Sequence, residues 1–158
     1  MKKYYCFLVW VFLLTSISAQ NTEKDKMEQL SFLVGEWIGT SKIYENGTVI
    51  KQGAAYEKIS FDLNNSILVI ELNTEFLQLR TIVTYDQADQ KYYYHRFSKE
   101  GFAKYPAVFK DGKLIVLKDK TTRFFFTKTI DGNFQEYGEQ LVDGKWIRSF
   151  EDDFQNVK

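Results

Sequence analysis

From Trp37 to Phe154 the chain alternates apolar and polar residues in short runs. In Leu79–Tyr85, for example, Leu79, Thr81, Val83 and Tyr85 fall on one side, and Arg80, Ile82 and Thr84 on the other. A period of two marks a β-strand with one face toward a core and one toward water. The same pattern predicts strands at Trp37–Tyr44, Val49–Asp62, Ser66–Phe76, Leu79–Tyr85 and Lys91–Ser98. It continues through Ala103–Phe109, Leu114–Lys118, Arg123–Ile130, Phe134–Val142 and Lys145–Phe154. Four pairs, Asn46-Gly47, Asp111-Gly112, Asp131-Gly132 and Asp143-Gly144, punctuate these runs. Such pairs accept the positive φ angles of tight hairpins, so successive strands are expected to be antiparallel neighbours. Before Trp37 the period changes. Met27, Leu30, Leu33 and Val34 fall at helical spacing and predict a short helix over 26–34, with Gly35 as its C-terminal cap.

Serial hairpins predict an all-β fold, a closed barrel or a sandwich. Set beside the export signal, the short N-terminal helix and Gly35-x-Trp37, they narrow to an antiparallel up-and-down barrel of about eight to ten strands with that helix at its start. Closure removes the exposed sheet edges that invite aggregation. The composition fits, with 14 Phe, 10 Tyr and 3 Trp but a single proline, Pro106. Aromatic residues favour pleated, half-buried surfaces, and proline interrupts a sheet.

The first residues read as an export signal. Lys2 and Lys3 precede an apolar run from Tyr4 to Leu14, and small polar residues lead to Ala19. The run is too short for a spanning helix, which needs about 20 residues. Residues 1–19 are therefore expected to be a signal peptide and 20–158 one barrel domain, exported to the periplasm or the medium and free of the membrane after cleavage. Cleavage after Ala19 leaves 139 residues and no cysteine, because Cys6 lies in the signal. Disulfides and thiolate metal sites are then excluded. The remaining 19 basic and 21 acidic side chains give a net charge of −2. That balance lacks the basic excess of a nucleic-acid binder.

The stretch Leu33-Val34-Gly35-Glu36-Trp37-Ile38-Gly39-Thr40 sits where the helix hands over to the first strand. It resembles the entry of the calycin, or lipocalin-like, barrels, and of the small bacterial domains distantly related to nitrobindin. Val83-Thr84-Tyr85-Asp86 before Lys91-Tyr92-Tyr93, and Leu141-Val142-Asp143-Gly144-Lys145-Trp146, extend the resemblance over about residues 28–154. The resemblance implies that Gly35 and Trp37 close one end of the barrel. It also implies a basic side chain stacked on the indole, with Arg148 the first candidate and Arg123 the second. Nitrobindin-like proteins hold haem through a histidine near the C-terminus. This chain has none after His95, so haem is disfavoured and no cofactor is expected.

His95, the one histidine, lacks a second His or Cys to share a metal or a proton relay. It lies in Lys91-Tyr92-Tyr93-Tyr94-His95-Arg96-Phe97, where Tyr93, His95 and Phe97 form one face and Tyr92, Tyr94 and Arg96 the other. Either face can line a pocket with aromatic walls and a few polar anchors. The candidates for ligand contact are Tyr93, His95, Phe97, Arg80 and Tyr56. Arg80, Glu57 and Glu71 each stand among apolar neighbours, as an inward anchor or, more commonly, as the water face of a strand. Trp146, Arg148, Phe150, Asp152 and Phe154 share one face by spacing, and Glu151, Asp152 and Asp153 read as a solvated terminus. No phosphate loop, nucleophile elbow or zinc spacing occurs. The expected function is binding of a small, largely apolar molecule inside the barrel, with an entrance at the end that carries longer connections such as Asp86 to Gln90. The alternatives are a structural or interaction protein with a filled barrel, or an enzyme using His95 in the cavity.

Overall fold

A computed structural model describes residues 23–157. The expected signal peptide lies outside the described residues. Helix α1 covers residues 23–28, and a 3-10 turn follows at Ser31–Leu33. The strands are β1 (Gly35–Glu45), β2 (Thr48–Asp62), β3 (Ile67–Thr74), β4 (Gln78–Asp86) and β5 (Lys91–Ser98), then β6 (Gly101–Lys110), β7 (Lys113–Leu117), β8 (Thr122–Lys128), β9 (Phe134–Val142) and β10 (Lys145–Asn156). Every strand pairs antiparallel with its sequence neighbours, and β1 pairs with β10 to close the barrel. All ten predicted strands are present, with ends moved by a few residues.

The turn chemistry explains the regularity. At Asn46-Gly47, Asp111-Gly112 and Asp143-Gly144 both residues have positive φ. This is the type I′ geometry, whose twist matches that of the flanking strands. Asp131-Gly132 differs. Only Gly132 has positive φ there, and its N–H donates to the Thr129 carbonyl at 3.0 Å within a longer connection over 129–133.

The two ends of the barrel are built differently. The end that receives the start of β1 and the finish of β10 is plugged. Met27, Leu30 and Leu33 are fully buried in it, and the Tyr92 hydroxyl ties α1 down by donating to the Lys26 carbonyl at 2.6 Å. Trp37 Nε1 donates to the Leu33 carbonyl at 2.9 Å, and its ring tilts against Phe134 at 5.5 Å. Gly35 makes space for that ring: a Cβ there would lie 3.1 Å from the indole and 2.8 Å from Asn156 Nδ2. The expected capping role falls instead to Val34, in extended conformation, because Gly35 already belongs to β1.

Arg148 does not stack on Trp37. Its guanidinium lies 3.8 Å from the Tyr137 ring centroid and pairs with Glu151 at 2.8 Å, on the outer wall. Arg123, the second candidate, lies 3.9 Å from the Trp146 ring centroid and pairs with Glu139 at 2.7 Å. The cause is a bulge in β10. Arg148 pairs with Glu139 and Phe150 with Gly138, which leaves Ser149 as an extra residue. One extra residue reverses the facing of everything beyond it. Trp146 and Arg148 therefore face out, while Phe150, Asp152 and Phe154 face in, although spacing alone places all five together.

Candidate ligand-binding cavity

The inward positions follow from the strand alternation. They include Ser41 on β1, Leu72 on β3, Thr81 on β4, Tyr94 and Arg96 on β5, Phe124 on β8, Glu136 on β9, and Phe150 and Asp152 on β10. Toward the plugged end Phe126, Phe134 and Phe154 fill the interior, with Phe134 and Phe154 stacked at 5.4 Å. Toward the other end a cavity of about 310 Å³ remains. Leu72, Leu79, Tyr105, Phe124 and Phe150 form its apolar wall, and Ser41, Tyr94, Arg96, Glu136 and Asp152 supply polar groups. Phe76, Leu77 and Lys118 stand at its rim. The β3–β4 connection that carries Phe76 and Leu77 is held by Thr74 Oγ1, which accepts from both backbone N–H groups at 3.1 and 2.9 Å.

The entrance is therefore opposite to the one expected. The Asp86–Gln90 connection joins β4 to β5 at the end plugged by α1, whereas the cavity lies beside the β3–β4 and β7–β8 connections. Loop length is a poor guide here because the N-terminal segment, not the loops, decides which end is sealed.

The ligand candidates named from sequence face outward. Tyr56, Arg80 and Phe97 line an open groove of about 480 Å³ on the outer wall, with Glu71 among their neighbours. Glu71 pairs with Arg80 at 2.8 Å. Tyr93 lies farther along the same wall, its hydroxyl bonded to Asp89 and its ring 3.8 Å from Lys104 Nζ. His95 Nε2 is 3.1 Å from Thr84 Oγ1, and its ring stacks on Phe102 at 6.3 Å. Partial burial pushes the His95 pKa down, and Lys104 adds to the effect. An enzyme built on His95 inside the cavity does not fit, since the imidazole is on the wrong side of the wall. The other face of β5, with Tyr94 and Arg96, meets the cavity.

Three interior carboxyl groups are the least expected feature. Glu57 is fully buried, Glu136 is 4 % exposed and Asp152 is 2 % exposed. Glu136 and Asp152 are direct cross-strand partners, and Asp152 also faces Ser41. Desolvation raises all three pKa values. The charge of Asp152 adds to the shift of Glu57, and Glu57 followed by Asp152 adds to that of Glu136. The Asp152 carboxyl is pushed up to about 6, against a lowering by its Ser41 hydrogen bond. Burial likewise pushes the Tyr94 hydroxyl well up, so it stays a neutral donor. Asp152 is thus no part of a solvated terminus. Its neighbours Glu151 and Asp153 do face out, where Lys42 Nζ reaches them at 3.4 and 2.9 Å.

Glu136 drew no attention from sequence. The available signal was its pair of same-face neighbours, Phe134 and Gly138, which places a carboxyl in an apolar row. Asp152 between Phe150 and Phe154, and Glu57 between Ala55 and Ile59, share that signature. The fold and site together define a closed antiparallel barrel with an internal cavity. No protein-family model matches the chain, and neither does any curated protein.

Proposed function

We propose that this chain is an exported lipocalin-like carrier that holds a small, largely apolar molecule inside its barrel. One observation carries the reading: a single interior combines apolar walls with a few convergent polar groups and is sealed at one end and accessible at the other. Small-molecule sites are built this way, with hydrophobic and aromatic walls and a minority of placed polar groups. A barrel meant only as a structural unit has no need of a cavity of about 310 Å³, because an empty apolar space costs packing energy. Buried carboxyl groups cost more still, and proteins keep such groups where they act on something. The Gly35-x-Trp37 entry and the plugged end supply the lipocalin-like part of the reading.

Native mass spectrometry of the protein purified from its own host tests the proposal. The wild type is expected to carry an adduct, and Leu79→Trp, which fills the cavity from its wall, is expected to lose it. Wild-type protein at its bare mass would overturn the reading.

A further inference from the structure

On the outer wall several carboxylates are paired with cations. Glu139 meets Arg123 at 2.7 Å, Glu71 meets Arg80 at 2.8 Å, and Asp153 meets Lys42 at 2.9 Å. The interior does the opposite. Among the described residues no ion pair reaches Glu57, Glu136 or Asp152. Asp152 Oδ1, both Glu57 carboxyl oxygens and the Thr81 hydroxyl are buried with no hydrogen-bond partner. Asp152 lines the cavity beside Glu136, so an unpartnered carboxyl oxygen stands within the wall of the ligand space. Leaving such a group unsatisfied is costly, and more so when it is charged. The missing component is a donor, and preferably a cationic one.

We infer that the cavity takes an aliphatic amine, with its ammonium group against Glu136 and Asp152 and its hydrocarbon chain along Leu72, Leu79, Phe124 and Phe150. The inference rests on the carrier reading and names the ligand class of that same cavity. An ammonium offers three donors and no acceptor, which suits two facing carboxyl groups. An alcohol offers one donor. A carboxylate offers no donor for these oxygens. A bare metal ion fits poorly, because among the described residues no group of three or more His, Cys, Asp or Glu has the geometry to hold one.

The remaining groups around the acids are consistent with this placement. Ser41 on β1, Thr81 on β4 and Tyr94 on β5 are neutral. Glu57 on β2 adds a third buried acid, near enough for its charge to act on Glu136. The cations are Arg96, which donates to Ser98 Oγ at 3.0 Å, and Lys118 at the rim. These two make a fatty carboxylate the sharpest competitor, since it could dock its head at the rim instead.

Isothermal titration calorimetry at neutral pH with n-octylamine, n-octanol and octanoate separates these cases. Octylamine is expected to bind about tenfold tighter than octanol, or better, as suits a charge-assisted hydrogen bond in a buried site. In the double variant Glu136→Gln, Asp152→Asn the amine should fall to the level of octanol, while an unchanged circular dichroism spectrum reports an intact barrel. If octanol or octanoate binds as tightly as octylamine, the amine inference fails and the carrier reading stands. If none of the three binds, both fail. Asp152→Asn alone, with Glu136 retained, should give an intermediate loss; no loss in either variant would overturn the assignment of the ammonium to this pair.

Discussion

Replacing Asp152 by asparagine should stabilise the protein, and by an amount that depends on pH. The carboxyl is buried on the inner face of β10, and its pKa rises from an ordinary 3.8 to about 6. One pKa unit corresponds to about 1.36 kcal/mol, so the shift amounts to about 3 kcal/mol. The folded state holds this proton more tightly than the unfolded chain does. The contribution is therefore fully present below the unfolded value near 4, and is lost as pH rises through about 6. Above that point the wild type either ionises a buried acid or is held back from doing so at a cost. Asparagine has no proton to lose and keeps an oxygen that can accept from Ser41. At pH 7.5 the variant should gain up to about 3 kcal/mol, a rise in melting temperature of roughly 10 °C for a domain of this size. At pH 4 the two proteins should melt nearly together. Circular dichroism melts from pH 4 to pH 8 measure both quantities. The slope should diminish without vanishing, because Glu57 and Glu136 are shifted the same way and remain in the variant. A variant that melts below the wild type at pH 7.5, or gains equally at both pH values, would refute the reasoning. The expected gain in stability with loss of amine affinity is the usual conflict between a binding site and its scaffold.

Two further substitutions probe the two ends of the barrel. Trp37→Ala removes an indole that is 3 % exposed, bonded to Leu33 and packed on Phe134, and should cost about 3–5 kcal/mol of stability. Because the indole lies at the plugged end, octanol affinity at a temperature where the variant is folded should be unchanged; equal melting temperatures for variant and wild type would contradict the assignment. Gly138→Ala places a Cβ 2.3 Å from the Phe150 ring, so the ring must swing into the cavity, and octanol binding should weaken more than stability does in denaturant melts.

Much of the barrel is legible in the sequence because its signals are local. A period of two, tested over five to fifteen residues, finds each strand, and Asn-Gly or Asp-Gly pairs find three of the tightest turns. Short connections then leave antiparallel pairing of neighbours as the simple arrangement. The site was legible only in part. Alternation divides β5 correctly into Tyr93, His95 and Phe97 against Tyr92, Tyr94 and Arg96, but both faces carry aromatic and polar residues. Composition therefore does not say which face is inside. The interior acids were hidden for the same reason: a carboxyl in an alternating strand usually marks water, and Glu57, Glu136 and Asp152 break that rule.

By itself the chain determined strand positions, turn types, the antiparallel order and the Gly35-x-Trp37 junction, all set by interactions among residues close in sequence. Tertiary structure alone decided three other matters. The Ser149 bulge reversed the facing of β10, through a mismatch in hydrogen-bond register with β9 that no single strand can express. Packing of α1 against the barrel mouth decided which end is sealed, since Met27, Leu30 and Leu33 need a partner surface assembled from several strands. Closure of β1 on β10 brought Ser41 beside Asp152, more than a hundred positions away. A carboxyl group acquires its unusual acidity from that surrounding wall, and the wall exists only once the sheet has closed.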